Sequence, residues 1–195
     1  MADPYAAIRP FNDDEVRPVI DRLLHSDAFL GALLRLRLGS SAHYLGWLLR
    51  PPLRALLARR LRHVNSVYDL QMITKVYVER MIEESTGGFS VSGLEALDPK
   101  TAHLFISNHR DIAMDPAFTN YALHMAGHET LRIAIGDNLL TRDWVTDLMR
   151  LNKSFIVQRS ASGPRELLAA SKLLAGYIRH SIQDDNVPIW IAQRE

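Results

Sequence analysis

The C-terminal two-thirds of the chain alternates short apolar runs with helical segments, and this alternation constrains the fold more than any other feature. The segments with a helical pattern span residues 116–127, 138–151 and 164–182. The apolar runs span residues 102–107, 130–135, 154–158 and 187–192. Strands connected by helices pair in parallel, and helices cover both faces of such a sheet. The sequence therefore predicts an α/β fold in which a largely parallel sheet is flanked by helices.

Two further expectations concern the limits of this unit. Residues 89–93 alternate apolar and polar side chains, which is typical of a short strand. The sequence stops shortly after the run at 187–192, whereas a strand in an α/β sheet normally leads into a loop and another helix. We therefore expect a piece of a longer protein, and if its sheet is incomplete, 187–192 would be an exposed edge strand.

The N-terminal third is helical in pattern and its charge is unevenly distributed. Residues 1–27 have a net charge of −3, whereas residues 28–68 contain seven arginines and no acid, although the whole chain has a net charge of only +1. A mixed solvent-exposed surface rarely produces such a block. We expect helices, with breaks at Gly39–Ser40 and Pro51–Pro52, over residues 13–25, 28–38, 42–63 and 67–84.

This basic amphipathic region contains no membrane-spanning sequence. Its longest uncharged apolar run, residues 28–34, is far shorter than the roughly 20 residues that a spanning helix needs. Leucines interleaved with arginines instead favour a helix pair on a membrane surface, with the arginines at the headgroups. The alternative is a helix pair docked on the protein with a solvated basic face. We divide the chain into a helical membrane-surface region, 1–65, and an α/β domain, 66–195.

The residues most suited to chemistry follow the first strand of the α/β domain. His109 comes directly after the apolar run, and Asp111 and Asp115 follow two and six residues later. A strand-to-helix turn is where open α/β sheets place their chemistry. A histidine held by a carboxylate can take a proton from a hydroxyl group at neutral pH. Because the chain has no cysteine, this His/Asp arrangement is the best candidate for a reactive centre.

Three segments carry a resemblance to a known family. Residues 91–97 and 104–110 are similar to the approach to the first motif of the glycerolipid acyltransferases, 153–159 resembles the second, and 193–195 resembles the start of the third. The resemblance covers residues 66–195. The family's His-x4-Asp spacing would place its aspartate at position 114, where this chain has Met114. We therefore favour Asp115, one residue later, as the acid that orients His109, and keep Asp111 as the alternative.

The resemblance implies a role for each matching residue. His109 would be the general base, oriented by Asp115 or Asp111. Arg159 would bind the phosphate of the acceptor. Substrate contacts are also implied for Arg110, which could instead hold Asp115, and for Lys153 and Glu195.

The family also implies the reaction and its setting. A fatty acyl group would pass from acyl-CoA or acyl-carrier protein to glycerol 3-phosphate or a lysophospholipid such as 1-acyl-glycerol 3-phosphate, in phospholipid biosynthesis. Neither a metal nor another cofactor is expected, and His124 and His128 lack the surroundings of a metal motif. The expected partner is a membrane phospholipid surface and not a nucleic acid, and the expected location is peripheral, at the cytoplasmic face of the inner membrane.

Three other classes of protein compete with this interpretation. His109-Arg110-Asp111 copies the protein-kinase triplet, but Pro116 stands where a kinase needs Asn, and no glycine-rich loop precedes it. A metal-dependent hydrolase with His109 and Asp111 as metal ligands would need further ligand clusters, which this sequence lacks. A non-catalytic protein that binds membrane surfaces on the same scaffold remains open, because the spacing of the first motif is altered.

Overall fold

The computed structural model of the protein describes residues 3–39, 42–108 and 110–193. The helices are α1 (Asp13–His25), α2 (Asp27–Leu38), α3 (Ala42–Arg60), α4 (Val67–Ser85), α5 (Met114–Met125), α6 (Asp143–Leu151) and α7 (Pro164–Gln183). The strands are β1 (Leu104–Asn108), β2 (Arg132–Gly136), β3 (Ser154–Val157) and β4 (Ile189–Gln193). Short 3-10 turns occupy Leu94–Ala96 and Asp137–Leu139. The architecture confirms the predicted α/β class.

The four strands form one sheet in the order β1-β4-β2-β3, and every pairing is parallel. The expectation that the last strand forms an exposed edge is therefore wrong, since β4 lies between β1 and β2. The edge strand β3 is partly covered by the N-terminal segment, because the backbone N–H of Ile156 donates a 2.8 Å hydrogen bond to the carbonyl of Ile8. Pairing of this kind satisfies backbone groups that an open edge would expose.

Two hydrophobic clusters cover the two faces of the sheet. On one face, α7 contributes Tyr177 to a cluster with Phe155 of β3 and Ile189 of β4. On the other face, α5 contributes Leu123, which packs with Ile133 of β2 and Trp190 of β4. The alternation of side chains along each strand produces this division. Burying an apolar side chain of this size contributes about 1.5–3 kcal/mol, so both faces support the sheet.

A third cluster joins the N-terminal helices to the α/β region. Val16 and Ile20 of α1 pack with Val67 of α4 and Leu151 of α6. The buried Asp147 of α6 also accepts two 2.7 Å hydrogen bonds from the guanidinium of Arg22 in α1. Hydrogen bonds to charged groups contribute about 1.5–3 kcal/mol. The division of the chain at residue 65 stays a prediction.

Several expected element limits differ from the structure. Residues 89–93 form no strand, and Phe89 instead packs its ring against Phe118 and Tyr121 of α5. The expected break at Pro51–Pro52 is absent, because α3 continues through both prolines, whose fixed φ is compatible with a helix. The single helix expected at 138–151 is a 3-10 turn followed by α6.

The arginine-rich part of the chain forms a pair of packed helices, α2 and α3. Arg54 stabilises the packing of these helices against α1, because its Nε donates a 2.9 Å hydrogen bond to the carbonyl of Leu24. Other arginines of this pair are solvent-exposed: Arg35, Arg37, Arg59 and Arg60. Within the residues described, no helix combines the length and apolar character needed to cross a bilayer.

Candidate active site

The candidate site lies at the edge of the sheet formed by the carboxyl ends of the strands. Because all four strands are parallel, the segments that follow Asn108, Gly136 and Val157 emerge at this same edge. Segments in this position form the ligand-binding crevices of open α/β sheets. Residues 110–115, Asp137 and Arg159 therefore lie at one edge of the sheet although they are distant in sequence.

Two aspartates organise the loop between β1 and α5. The Oδ2 atom of Asp115 accepts hydrogen bonds from the backbone N–H groups of Arg110 at 2.8 Å and of Asp111 at 3.1 Å. The Oδ1 atom of Asp111 accepts from the N–H groups of Ala113 and Met114, both at 2.8 Å. Both carboxylates thus hold the backbone that follows His109 in a defined conformation.

Helix α5 begins two residues earlier than the Asp115-Pro116 sequence predicts. The sequence suggests Asp115 as the N-cap residue and Pro116 as the first helical residue, but α5 begins at Met114 and Asp115 lies inside its first turn. Asp111 performs the capping role, because its carboxylate accepts from the N–H group at the start of the helix. Asp115 therefore does not cap the helix, and its carboxylate accepts hydrogen bonds from the loop at residues 110–111.

Two of the predicted site residues, His109 and Glu195, lie outside the described residues. Arg110 is described, and its side chain is exposed. The choice between Asp115 and Asp111 as the partner of His109 stays a prediction, as does the role of Glu195.

The structure brings Arg159 to the same edge of the sheet. Asp137, directly after β2, accepts a 3.0 Å hydrogen bond from the backbone N–H of Arg159, together with bonds from the N–H and hydroxyl of Ser160. These bonds, the Ser160 hydroxyl first among them, hold the pKa of Asp137 below its ordinary value. Asp137 therefore stays ionised near neutral pH and fixes the loop after β3.

The side chain of Arg159 lies over the end of β2. A Cβ atom built on Gly136 would lie 3.1 Å from both Cδ and Nε of Arg159, so the absence of a side chain there allows this close approach. Glu166, in the first turn of α7, accepts a hydrogen bond from the N–H of Ser162. Among the residues that the structure describes, no carboxylate pairs with the Arg159 guanidinium.

The structure does not bring Lys153 to this edge. Lys153 precedes β3, at the amino end of the sheet, where its Nζ forms an ion pair with Glu129 and donates a 2.8 Å hydrogen bond to the hydroxyl of Thr130. Burial lowers the pKa of Lys153, although the nearby Glu129 opposes the shift. The predicted substrate contact would require a ligand that reaches the opposite end of the sheet.

An apolar pocket of about 420 Å³ connects the two ends of the sheet on the face covered by α4 and α5. Ile112, Met114 and Arg159 line its mouth near the carboxyl ends of the strands. Val78 and Ile133 line its walls. The volume lies within the range of about 300–1,000 Å³ that is typical of small-molecule sites. The pocket can therefore receive an extended apolar group whose reactive end stays near the loop at residues 110–115, the aspartate loop, which Asp111 and Asp115 hold in place.

Sequence reasoning missed two residues of this edge. The sequence analysis selects neither Asp137 nor Gly136 as a site residue, although both lie at the end of an apolar run. The same rule that selected His109, a polar residue at the carboxyl end of a strand, would have selected Asp137. Among the described residues, no three His, Asp or Glu side chains lie close enough together to hold a metal ion.

Comparison with known proteins agrees with the resemblance seen in the sequence. The model of the family described as "Acyltransferase" matches residues 88–192, which is more than half of the chain. The matched region contains β1, β2, β3, all but the last residue of β4, the loop at residues 110–113 and Arg159. No curated protein matches the chain. The chain belongs to the acyltransferase family.

Proposed function

We propose that the protein transfers a fatty acyl group from a thioester donor, acyl-CoA or acyl-carrier protein, to a hydroxyl of glycerol 3-phosphate or a lysophospholipid such as 1-acyl-glycerol 3-phosphate. The observation that carries this proposal is the apolar pocket with Arg159 at its mouth. An acyl chain fits the apolar walls, and a phosphate fits a guanidinium. The two groups would then meet beside the loop held by Asp115.

In the proposed reaction, the imidazole of His109 removes the proton from the acceptor hydroxyl. The hydroxyl oxygen attacks the thioester carbonyl, and the carbon–sulfur bond breaks as the new ester forms. The thiolate then takes the proton from the imidazolium, so that no cofactor is consumed. Asp115, or alternatively Asp111, would fix the imidazole tautomer and stabilise its charged form.

Two features support phosphate binding by Arg159. Its backbone is anchored by Asp137, which reduces the cost of ordering the loop. Its guanidinium has no carboxylate partner among the described residues, so a bound phosphate would not have to displace one. Arg110, exposed on the neighbouring loop, would add positive charge for the acceptor.

The assay that tests this function measures transfer of labelled acyl groups from acyl-CoA and from acyl-carrier protein. Glycerol 3-phosphate and 1-acyl-glycerol 3-phosphate are offered in turn, with phospholipid vesicles present. We expect transfer to at least one phosphate-bearing acceptor and none to glycerol, since glycerol cannot bind Arg159 through phosphate. Absence of transfer from a folded protein that still binds vesicles would favour the alternative, a non-catalytic membrane-surface protein.

We also propose that α2 and α3 bind the membrane surface, so that the enzyme works as a peripheral protein at the cytoplasmic face of the inner membrane in phospholipid biosynthesis. Leu36 and Trp47 are 83% and 73% exposed, and Leu45, Leu48 and Leu56 are exposed as well. These side chains stand among the exposed arginines of the same helices. Apolar side chains surrounded by arginines suit an interface with anionic lipid.

This membrane contact is tested by sedimentation with vesicles that contain anionic lipid. Trp47→Ser combined with Leu48→Ser should weaken partitioning at least roughly tenfold, because less apolar surface can be buried in the lipid. Higher salt should weaken it as well, because salt screens the arginines. The control pair, Val76→Ser with Tyr77→Ser, changes two exposed apolar residues of α4, which lie outside the proposed membrane contact. Equal losses in the two pairs would contradict the proposal.

A further inference from the structure

The strand that leads into His109 lies at the edge of the sheet. Strand β1 comes first in the order β1-β4-β2-β3 and pairs with β4 along its whole length. Its side chains Leu104 and Ile106 are 44% and 61% exposed. A catalytic group has to be held within about 0.5 Å of its productive position. The carboxyl end of β1 therefore needs support from the core of the sheet.

The side chain of Trp190 provides this support. Trp190 lies on β4, is only 2% exposed, and packs with Leu123 of α5 and Ile133 of β2. Its indole Nε1–H donates a 3.1 Å hydrogen bond to the hydroxyl oxygen of Ser107, near the end of β1. Buried indole N–H groups usually find such an acceptor. The bond thus connects the packed core to a residue two positions before His109.

A second hydrogen bond extends this connection to the backbone. An indole N–H can only donate, so the oxygen of Ser107 accepts and its own proton stays available. The Ser107 hydroxyl donates to the carbonyl oxygen of Asn108 at 3.0 Å. The peptide group of that carbonyl is planar and includes the nitrogen atom of His109. The relay from Trp190 through Ser107 therefore orients the peptide group that joins β1 to His109.

The chain after His109 is held from the other side. Asp115 of α5 accepts hydrogen bonds from the backbone N–H groups of Arg110 and Asp111. The position of the proposed base is thus flanked by two separate sets of hydrogen bonds, one from β4 and one from α5. Trp190 also lines the apolar pocket. One rigid side chain therefore contacts both the strand that leads to the base and the proposed place of the acyl chain.

We infer that Trp190 and Ser107 are positioning residues for acyl transfer, which hold the end of β1 so that the imidazole of His109 meets the acceptor hydroxyl. This inference rests on the proposed function, since it assumes that His109 is the general base. Neither residue takes part in the proton transfer. Because a misplacement of about 1 Å can cost about 10²-fold in rate, loss of the relay should lower turnover.

The test measures initial rates of acyl transfer with the donor and acceptor concentrations varied in turn. Ser107→Ala should lower kcat roughly tenfold or more and leave both KM values within a few-fold, because the base is displaced while substrate binding is retained. Trp190→Phe keeps an aromatic ring, loses the N–H group and should lower kcat to a similar extent. The double variant should be little worse than either single variant, since both remove the same bond.

A conservative variant and a control separate positioning from general stability. Ser107→Thr keeps the hydroxyl and suits a strand, so its kcat should be close to that of the wild type. Trp144→Phe removes another indole N–H, which has no hydrogen-bond partner among the residues that the structure describes. This control should leave kcat unchanged. The unfolding temperature of every variant is measured alongside its rate.

The outcomes distinguish this inference from the proposed function. An unchanged kcat in Ser107→Ala and Trp190→Phe overturns the inference and leaves the proposed function standing. Losses that add in full in the double variant, or an equal loss in Ser107→Ala and Ser107→Thr, overturn it as well. Absence of transfer by the wild-type protein overturns the proposed function and the inference together.

Discussion

Replacing His109 with alanine is expected to reduce acyl transfer by about 10²–10⁴-fold or more, because the acceptor hydroxyl then loses its general base. The measurement is the initial rate of labelled acyl transfer at saturating donor and acceptor. Donor binding, measured separately by calorimetry, should be unchanged, since the base acts on the acceptor. A loss of rate with intact donor binding would distinguish a chemical role from a structural one.

His128→Ala is the matched control for this experiment. His128 follows α5 and precedes β2, at the amino end of the sheet and thus away from the aspartate loop. Its replacement should leave the rate within a few-fold of the wild type, and both variants should unfold at similar temperatures. A His109→Ala protein that retains full activity would rule out the proposed mechanism.

The same assay separates the two candidate partners of His109. Asp115→Asn should cause the larger loss of rate if Asp115 orients the imidazole, and Asp111→Asn should cause it if Asp111 does. Both carboxylates also hold backbone N–H groups of the loop. The unfolding temperature of each variant therefore has to be measured alongside its rate.

Arg159→Ala is expected to raise the acceptor KM roughly 10- to 100-fold, which corresponds to the loss of a charge-assisted interaction of about 1.5–3 kcal/mol. The donor KM should not change, because the apolar walls of the pocket are untouched. Turnover at saturating acceptor should fall much less, since the phosphate is bound in both the ground state and the transition state. Steady-state kinetics with the acceptor concentration varied provides the measurement.

Two further variants sharpen this test. Arg159→Lys keeps the charge but loses the planar pair of donors, so its acceptor KM should fall between those of the wild type and Arg159→Ala. Arg165→Ala removes an exposed arginine in the first turn of α7 and serves as the control. An acceptor KM that is unchanged in Arg159→Ala would exclude the phosphate role.

The family assignment and the candidate loop could be predicted because they depend on local signals. The apolar runs around Ile133 and Phe155 have the length and composition of buried strands. The acids after His109 are close in sequence, so the aspartate loop could be anticipated from spacing alone. The position of Asp115 was harder to place, since one residue decides whether it caps α5 or lies in its first turn.

Other errors arose where local pattern and tertiary packing disagree. Residues 89–93 have the alternation of a strand, yet a strand requires a neighbour with which to pair, and Phe89 instead packs on α5. Lys153 is close in sequence to Arg159, but β3 separates them, so they lie at opposite ends of the sheet. Proximity along the chain therefore does not make Lys153 a neighbour of Arg159, and the substrate contact of Lys153 stays a prediction.

The sequence by itself determined the α/β class, the family resemblance and the chemical types at the candidate site, because each of these depends on residues near one another in the chain. Only the tertiary structure decided that β4 lies inside the sheet, that Asp137 anchors Arg159, and that Lys153 lies at the opposite end of the sheet from Arg159. These features depend on strand order and helix packing, which bring together residues tens of positions apart. No local pattern encodes such contacts, since they arise only when the hydrophobic faces are buried together.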